Sequence, residues 1–217
     1  MTRPDRHRFV TLKPSWRDHA ELAPCSMAGG DILPEWIDAG RPMVVASSAT
    51  GDAPTAVRLG LSTPHKQRYG LRVQVDAIDR LLPPVTLDAA AGSAPQEWLA
   101  SIDMILKVAQ QHGLSLSVFG SLAWSYVSGK NHLRPTSDLD LLVAAPAQTD
   151  TLAAIGALLD VESVPRLDGE LVLANGGGVN LREYAAQPGH ILAKQHGGPQ
   201  LVSLAKLMNH AEMAARA

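Results

Sequence analysis

Val118-Phe119-Gly120-Ser121-Leu122-Ala123-Trp124, followed after a polar gap by Ser137-Asp138-Leu139-Asp140-Leu141-Leu142-Val143, decides how this chain is read. Leu116 to Phe119 is a short apolar run that ends in Gly-Ser. Ser121 is placed to cap a helix reaching about Ser128, and Gly129 supplies its C-terminal stop. Leu139, Leu141 and Val143 then alternate with Asp138, Asp140 and Leu142, a period of two that predicts a strand. The same alternation puts Asp138 and Asp140 on one face, about 6–7 Å apart.

Two neighbouring carboxylates repel unless a positive charge lies between them. Mg²⁺ takes hard oxygen ligands, commonly one or two carboxylates together with substrate phosphates. A two-metal site spaces its ions about 4 Å apart, within reach of paired carboxylates. Gly120 and Ser121 complement this, because a turn that opens a helix offers free N–H groups and a positive dipole end to a phosphate. Either half alone is commonplace, as a turn or as a solvated strand end. Their order, with a helix between them, points to a phosphate site beside a metal site.

The 217 residues suffice for one large or two small domains, and 46% hydrophobic composition provides a core. A net charge of -2 and a pI near 6.4 argue against a general nucleic-acid binder. The single cysteine, Cys25, excludes an internal disulfide and a cysteine-based zinc site. No apolar run approaches the roughly 20 residues of a membrane span, and the charged N-terminus lacks a signal-peptide core, so a cytoplasmic protein without membrane or nucleic-acid partners is expected.

Outward from the organising stretch, the chain reads as an α/β (α+β) protein of two parts. Residues 1–88 form a smaller N-terminal α+β domain, with strands expected at Phe9–Leu12, Pro42–Ala46, Ala56–Ser62 and Tyr69–Val75 and helices at Asp31–Ala39 and Asp76–Leu82. Arg3, Arg6, His7 and Arg8 make a basic entry segment. Arg58, Lys66, Arg68 and Arg72 read either as a basic face or as a solvated sheet face. Pro83-Pro84 and the small residues through Gly92-Ser93 mark the boundary. Residues 93–217 then open with a capping box at Ser93 and Gln96, a helix to about Gln111, and the organising stretch. Thr149–Leu159 is amphipathic. Asp168-Gly169 reads as a hairpin turn and Asn175–Gly178 as a looser one, separating strands that end with Val179–Tyr184. Ile191–Lys194 starts a short element, and Leu201–Ala217 a terminal helix with Leu204, Leu207 and Met208 inward.

Gly120-Ser121 followed by Asp138-x-Asp140 resembles the nucleotidyltransferases of the DNA polymerase beta superfamily. The fuller wording, with Asp168-Gly169-Glu170 and Leu181-Arg182-Glu183 downstream, resembles one branch closely: malonate decarboxylase holo-acyl-carrier-protein synthase, or phosphoribosyl-dephospho-CoA transferase. The resemblance implies a minimal nucleotidyltransferase core with a mixed sheet. It implies transfer of the prosthetic group from 2'-(5''-triphosphoribosyl)-3'-dephospho-CoA to a serine of the malonate decarboxylase acyl carrier subunit, with release of pyrophosphate. Asp138 and Asp140 would be catalytic and hold Mg²⁺ or Mn²⁺. Gly120, Ser121, Ser137, Arg182 and Lys194 would bind substrate.

The third acid departs from the superfamily pattern. The matching run is Val179-Asn180-Leu181-Arg182, so that position is an amide, and Glu170 and Glu183 become the substitute metal contacts. In a straight strand Glu183 faces away from Asn180, and a bulge would bring it back. Arg182 shares the face of Asn180. The polar loop Lys130, Asn131, His132 and Arg134 reads as surface beside a site. Two rival functions stand beside the first: another small nucleotidyltransferase moving AMP or UMP, and a degenerate domain that only binds.

Overall fold

The computed structural model describes residues 2–22, 32–195, 197–205 and 207. Cys25, the first residue of the expected helix at Asp31, and Met208 with the rest of the expected terminal helix lie outside the described residues. The described chain falls into two compact units, one reaching Pro84 and joined by residues up to Gly198, the other running Val85–Gln195 and continuing from Pro199. Among the described residues, no helix is long and apolar enough to cross a membrane.

In the first unit the elements are β1 (Phe9–Leu12), a 3-10 turn, β2 (Ala20–Leu22), α1 (Ile32–Asp38), β3 (Met43–Val45), β4 (Ala56–Ser62), β5 (Arg68–Gln74) and β6 (Ile78–Leu81). They make a six-stranded sheet in the order β2-β5-β4-β3-β1-β6. Strands β4 and β5 show why: Val57, Leu59 and Leu61 alternate with Arg58 and Gly60, and Tyr69, Leu71 and Val73 alternate with Gly70 and Arg72. Leu59 pairs with Leu71 and Arg58 with Arg72, so one face is apolar and the other carries the arginines. Those arginines are neutralised. Arg58 donates to both oxygens of Asp52, at 2.7 and 2.9 Å, and Arg72 reaches Asp52 at 3.8 Å and pairs with Glu21. The helix expected over Asp76–Leu82 is instead a 3-10 turn, Val75–Ala77, followed by β6. Strand β1 takes this segment as its outer partner, with Leu12 opposite Ile78 and Val10 opposite Leu81.

The second unit contains α2 (Leu87–Ala90), α3 (Leu99–His112), β7 (Ser115–Val118), α4 (Gly120–Ser128), β8 (Leu139–Ala144), α5 (Thr151–Leu159), β9 (Leu167–Val172), β10 (Gly178–Asn180), α6 (Leu181–Ala185), β11 (His190–Gln195) and β12 (Gly198–Ser203). Their sheet runs β12-β11-β10-β9-β8-β7. It is mixed, as expected: β8 and β9 are parallel, linked through α5, while β7 pairs with β8, and β10 with β9 and β11, antiparallel.

One face of this sheet is apolar. Leu139, Leu141, Val143, Leu167, Leu171, Val179 and Ile191 are all buried. Each such side chain contributes about 1.5–3 kcal/mol by leaving water. Helix α6 lies on that face, because a Cβ on Gly169 would come within 2.9 Å of Leu181 Cδ1 and 2.5 Å of the Leu141 carbonyl oxygen. Gly169 is therefore a strand glycine that lets a helix approach, not the turn residue of a hairpin. Leu201–Ser203 likewise belong to β12 rather than to a helix.

Helix boundaries differ in detail. Gly129 and Gly113 stop α4 and α3 in the left-handed conformation, at φ 65° and 68°. The caps do not follow the expected side chains. The residue before α4 is Phe119, with Ser121 already inside the helix, and a 3-10 turn at Gln96–Trp98 leads into α3 in place of a capping box. Helix α5 is capped by Asp150, which accepts from the Ala153 N–H at 3.1 Å.

Candidate active site

The opposite face of the second sheet carries the polar residues. Alternation sends Asp140 and Leu142 of β8 there, and parallel pairing lays Asp168 beside Asp140 and Glu170 beside Leu142. Antiparallel β10 places Asn180 beside Glu170, and Lys194 of β11 sits opposite Gly178. Asp138 and Arg166 immediately precede β8 and β9, and the Leu139 N–H donates to the Arg166 carbonyl at 3.0 Å. Two rungs result: Asp138 beside Arg166, then Asp140 beside Asp168. Neighbouring strands lie about 4.8 Å apart, so Asp140 and Asp168 are carboxylates at close quarters.

The glycine turn is built onto this pair. Phe119 donates its N–H to the Asp140 carbonyl at 3.1 Å. Gly120 has φ +63°, and a Cβ there would fall 1.9 Å from Asp140 Oδ2. Only glycine lets the opening of α4 rest against that carboxylate. The N-terminus of α4 and the Asp140 side chain therefore share one small volume, with Ser121 in the first turn of the helix.

Arg166 grips Asp138 with two hydrogen bonds, Nε to Oδ1 at 3.2 Å and Nη2 to Oδ2 at 2.7 Å. Those bonds hold the Asp138 carboxyl below the ordinary aspartate range, against the opposing effect of its partial burial. The guanidinium is raised in turn, by Asp138 first and then by the fields of Asp168 and Asp140. Asp168 Oδ1 accepts from its neighbour Gly169 N–H at 2.9 Å and from Asn180 Nδ2 at 3.2 Å.

The remaining expected site residues are placed as follows. Ser137 closes a turn before Asp138, its Oγ accepting from the Arg134 N–H at 2.9 Å. Arg182 and Glu183 are in α6, not in a strand, because Asn180 caps that helix by accepting from both of their N–H groups at 3.0 and 3.2 Å. Arg182 Nη2 donates to the Leu167 carbonyl at 3.1 Å, and Glu183 Oε1 accepts from the Leu192 N–H at 3.1 Å. Glu170 is buried and takes Lys194 Nζ at 2.7 Å. His132 is not a surface residue: it is 2% exposed, stacked on Trp124 with ring centroids 5.8 Å apart, and its Nε2 lies 2.9 Å from Ser128 Oγ.

Two residues of this cluster escaped the sequence reading in their roles. Asp168 belongs beside Asp140, and Arg166 belongs on Asp138. The signal was present: Asp168, Glu170 and Val172 alternate with Leu167, Gly169 and Leu171, the same pattern that marks β8. The Asp-Gly dipeptide concealed it.

The donor chemistry of Asp138, Asp140 and Asp168, all hard oxygens, fits a divalent ion such as Mg²⁺ or Mn²⁺. Among the described residues, no three acidic, histidine or cysteine side chains already converge on one point, since Asp138 is turned to Arg166 and Asp168 to Asn180.

Carboxylates side by side on a sheet face a glycine-opened helix at this candidate site. The chain belongs to the phosphoribosyl-dephospho-CoA transferase family, and is thus a transferase: residues 5–84 match the model of the MdcG N-terminal domain and residues 82–205 that of the MdcG C-terminal domain. A phosphoribosyl-dephospho-CoA transferase of Xanthomonas euvesicatoria is 35% identical over 207 residues, covering 93% of this chain and 95% of that one. One from Bradyrhizobium diazoefficiens is 32% identical over 88% of this chain and 86% of its own length. One from Pseudomonas fluorescens is 30% identical over 84% and 88%. No solved structure matches the chain.

Proposed function

We propose that this transferase moves the phosphoribosyl-dephospho-CoA group from 2'-(5''-triphosphoribosyl)-3'-dephospho-CoA onto a serine of the malonate decarboxylase acyl carrier subunit, in the cytoplasm. The observation that carries the reading is the Asp140–Asp168 pair with Gly120 pressed against Asp140. Such a pair is kept for a cation, and such a turn for a phosphate.

In this reading the serine Oγ attacks the α-phosphorus of the donor. A phosphodiester bond forms, the bond to the pyrophosphate oxygen breaks, and the serine proton leaves to the carboxylate cluster, where Asp168 stands beside Asp140. Asp138, Asp140 and Asp168 are the residues that would hold Mg²⁺. The bound ion supplies Lewis acidity toward the phosphoryl oxygens and lowers the pKa of the attacking hydroxyl. Gly120 and the first-turn N–H groups of α4 receive the β- and γ-phosphates, with Ser121 beside them. Ser137 fixes the turn that delivers Asp138. Asn180 holds Asp168 in place. Glu183 and Arg182 brace the strands through main-chain contacts. Glu170 and Lys194 neutralise each other farther along the polar face, and Lys194 would add charge toward the donor only on leaving Glu170. Positioning and electrostatics supply most of the acceleration in such transfers.

The test is to incubate the protein with the apo carrier subunit, the triphosphoribosyl donor and Mg²⁺, and to read the carrier's intact mass. A gain equal to the donor less pyrophosphate supports the reading. No gain with this donor, and a gain of AMP or UMP from ATP or UTP, would move the function to another nucleotidyl transfer.

A further inference from the structure

Arg166 is the least expected member of the site. It stands on the rung before Asp168, across from Asp138, and its planar fork engages both Asp138 oxygens. Its side chain is 65% exposed, while that of Asp138 is 33% exposed. An ion pair this open on its cationic side contributes little to stability. The guanidinium also feels Asp140 and Asp168. It therefore brings positive charge to the three carboxylates that the proposed reaction assigns to a divalent ion.

We propose that Arg166 is an exchangeable counter-ion: it competes with the divalent ion for Asp138, and on release turns its guanidinium to the donor's phosphates. The inference rests on the metal reading given above and deepens it. The chemistry favours exchange over coexistence. A divalent ion drawing on Asp138 meets a like charge on the same carboxylate, and the two repel most at short range. Asp138 has too little burial to lock the arginine in place, and the long Arg166 side chain has the freedom to leave. A freed guanidinium beside a polyphosphate finds the bidentate oxygen partner it has lost. Exchange would also spare the site from three uncompensated carboxylates before the ion arrives.

The experiment is a Mn²⁺ titration followed by electron paramagnetic resonance, on the wild-type chain and on Arg166→Gln and Arg166→Lys, first alone and then with inorganic pyrophosphate. Thermal melting confirms that each variant is folded. Arg166→Gln should bind Mn²⁺ about tenfold more tightly than wild type, because a competing charge is gone. Arg166→Lys should stay near wild type. Pyrophosphate should bind the Mn²⁺ complex of Arg166→Gln about tenfold more weakly. Unchanged or weaker Mn²⁺ affinity in folded Arg166→Gln overturns the competition, and unchanged pyrophosphate affinity overturns the release. If Mn²⁺ binds the wild type but Arg166→Gln is no tighter, the exchange fails while the metal reading stands. If no protein binds Mn²⁺ even with pyrophosphate, both fall together.

Discussion

Replacing Gly120 with alanine tests the join between the glycine turn and the carboxylates. Two effects follow from the structure. The residue sits at φ +63°, and a left-handed conformation costs an L-residue roughly 1–2 kcal/mol. The new Cβ would also lie 1.9 Å from Asp140 Oδ2, so the carboxylate or the start of α4 must move by roughly 1 Å. A shift of that size costs about 100-fold in rate when it displaces a catalytic group. Gly113→Ala separates the two effects, since Gly113 has φ +68° and nothing within 4 Å of its would-be Cβ. Both variants should melt about 2–8 °C below wild type. Only Gly120→Ala should lose about two orders of magnitude in carrier modification, read as intact mass against time. Gly120→Ala within about threefold of wild type, or an equal loss in Gly113→Ala, would refute the reasoning.

Two further predictions concern stability. Lys194→Met removes the ion pair from a carboxylate that is 5% exposed, and should cost roughly 1–3 kcal/mol in denaturant unfolding. Lys194→Met with Glu170→Met should recover most of that loss, because an apolar pair tolerates the site. In the first unit, hydrogen bonds from Arg58, then from the Ala49 N–H, hold the buried Asp52 well below the usual carboxylate range. A depressed folded pKa adds stability that is full above about pH 4 and drains as pH falls toward the lowered value. Wild-type stability should therefore fall progressively as pH drops below about 4, and Asp52→Asn should flatten that dependence while lowering stability near neutrality.

The strands and helices around the organising stretch were legible because their signals are local. Leu139, Leu141 and Val143 alternate, Gly129 and Gly113 stop helices, and these features survive in any tertiary setting. Asp168 was not legible as a partner of Asp140. Its neighbour Gly169 carries a strong turn signal, yet glycine stands there because Leu181 of α6 needs the space. That reason is tertiary and leaves no local trace. The same holds for Asn180, read as a strand position with a missing charge. Its side chain caps α6 and steadies Asp168, a task that needs an amide rather than an acid. Once α6 begins at Leu181, Arg182 and Glu183 leave the strand register altogether. In the first unit, Asp76–Leu82 carries no helix-breaking residue, and only the open edge of β1 explains why it is extended.

The most direct test of the account is the rate of carrier modification by Asp168→Asn beside Asn180→Ala and Glu170→Gln. Asp168→Asn should fall by at least about 100-fold with its melting temperature nearly unchanged, since the amide keeps the shape but not the charge. Asn180→Ala should fall less, having lost only the support for Asp168 and the cap of α6. Near-normal turnover by Asp168→Asn, with Glu170→Gln inactive, would contradict the account and return the third acid to Glu170.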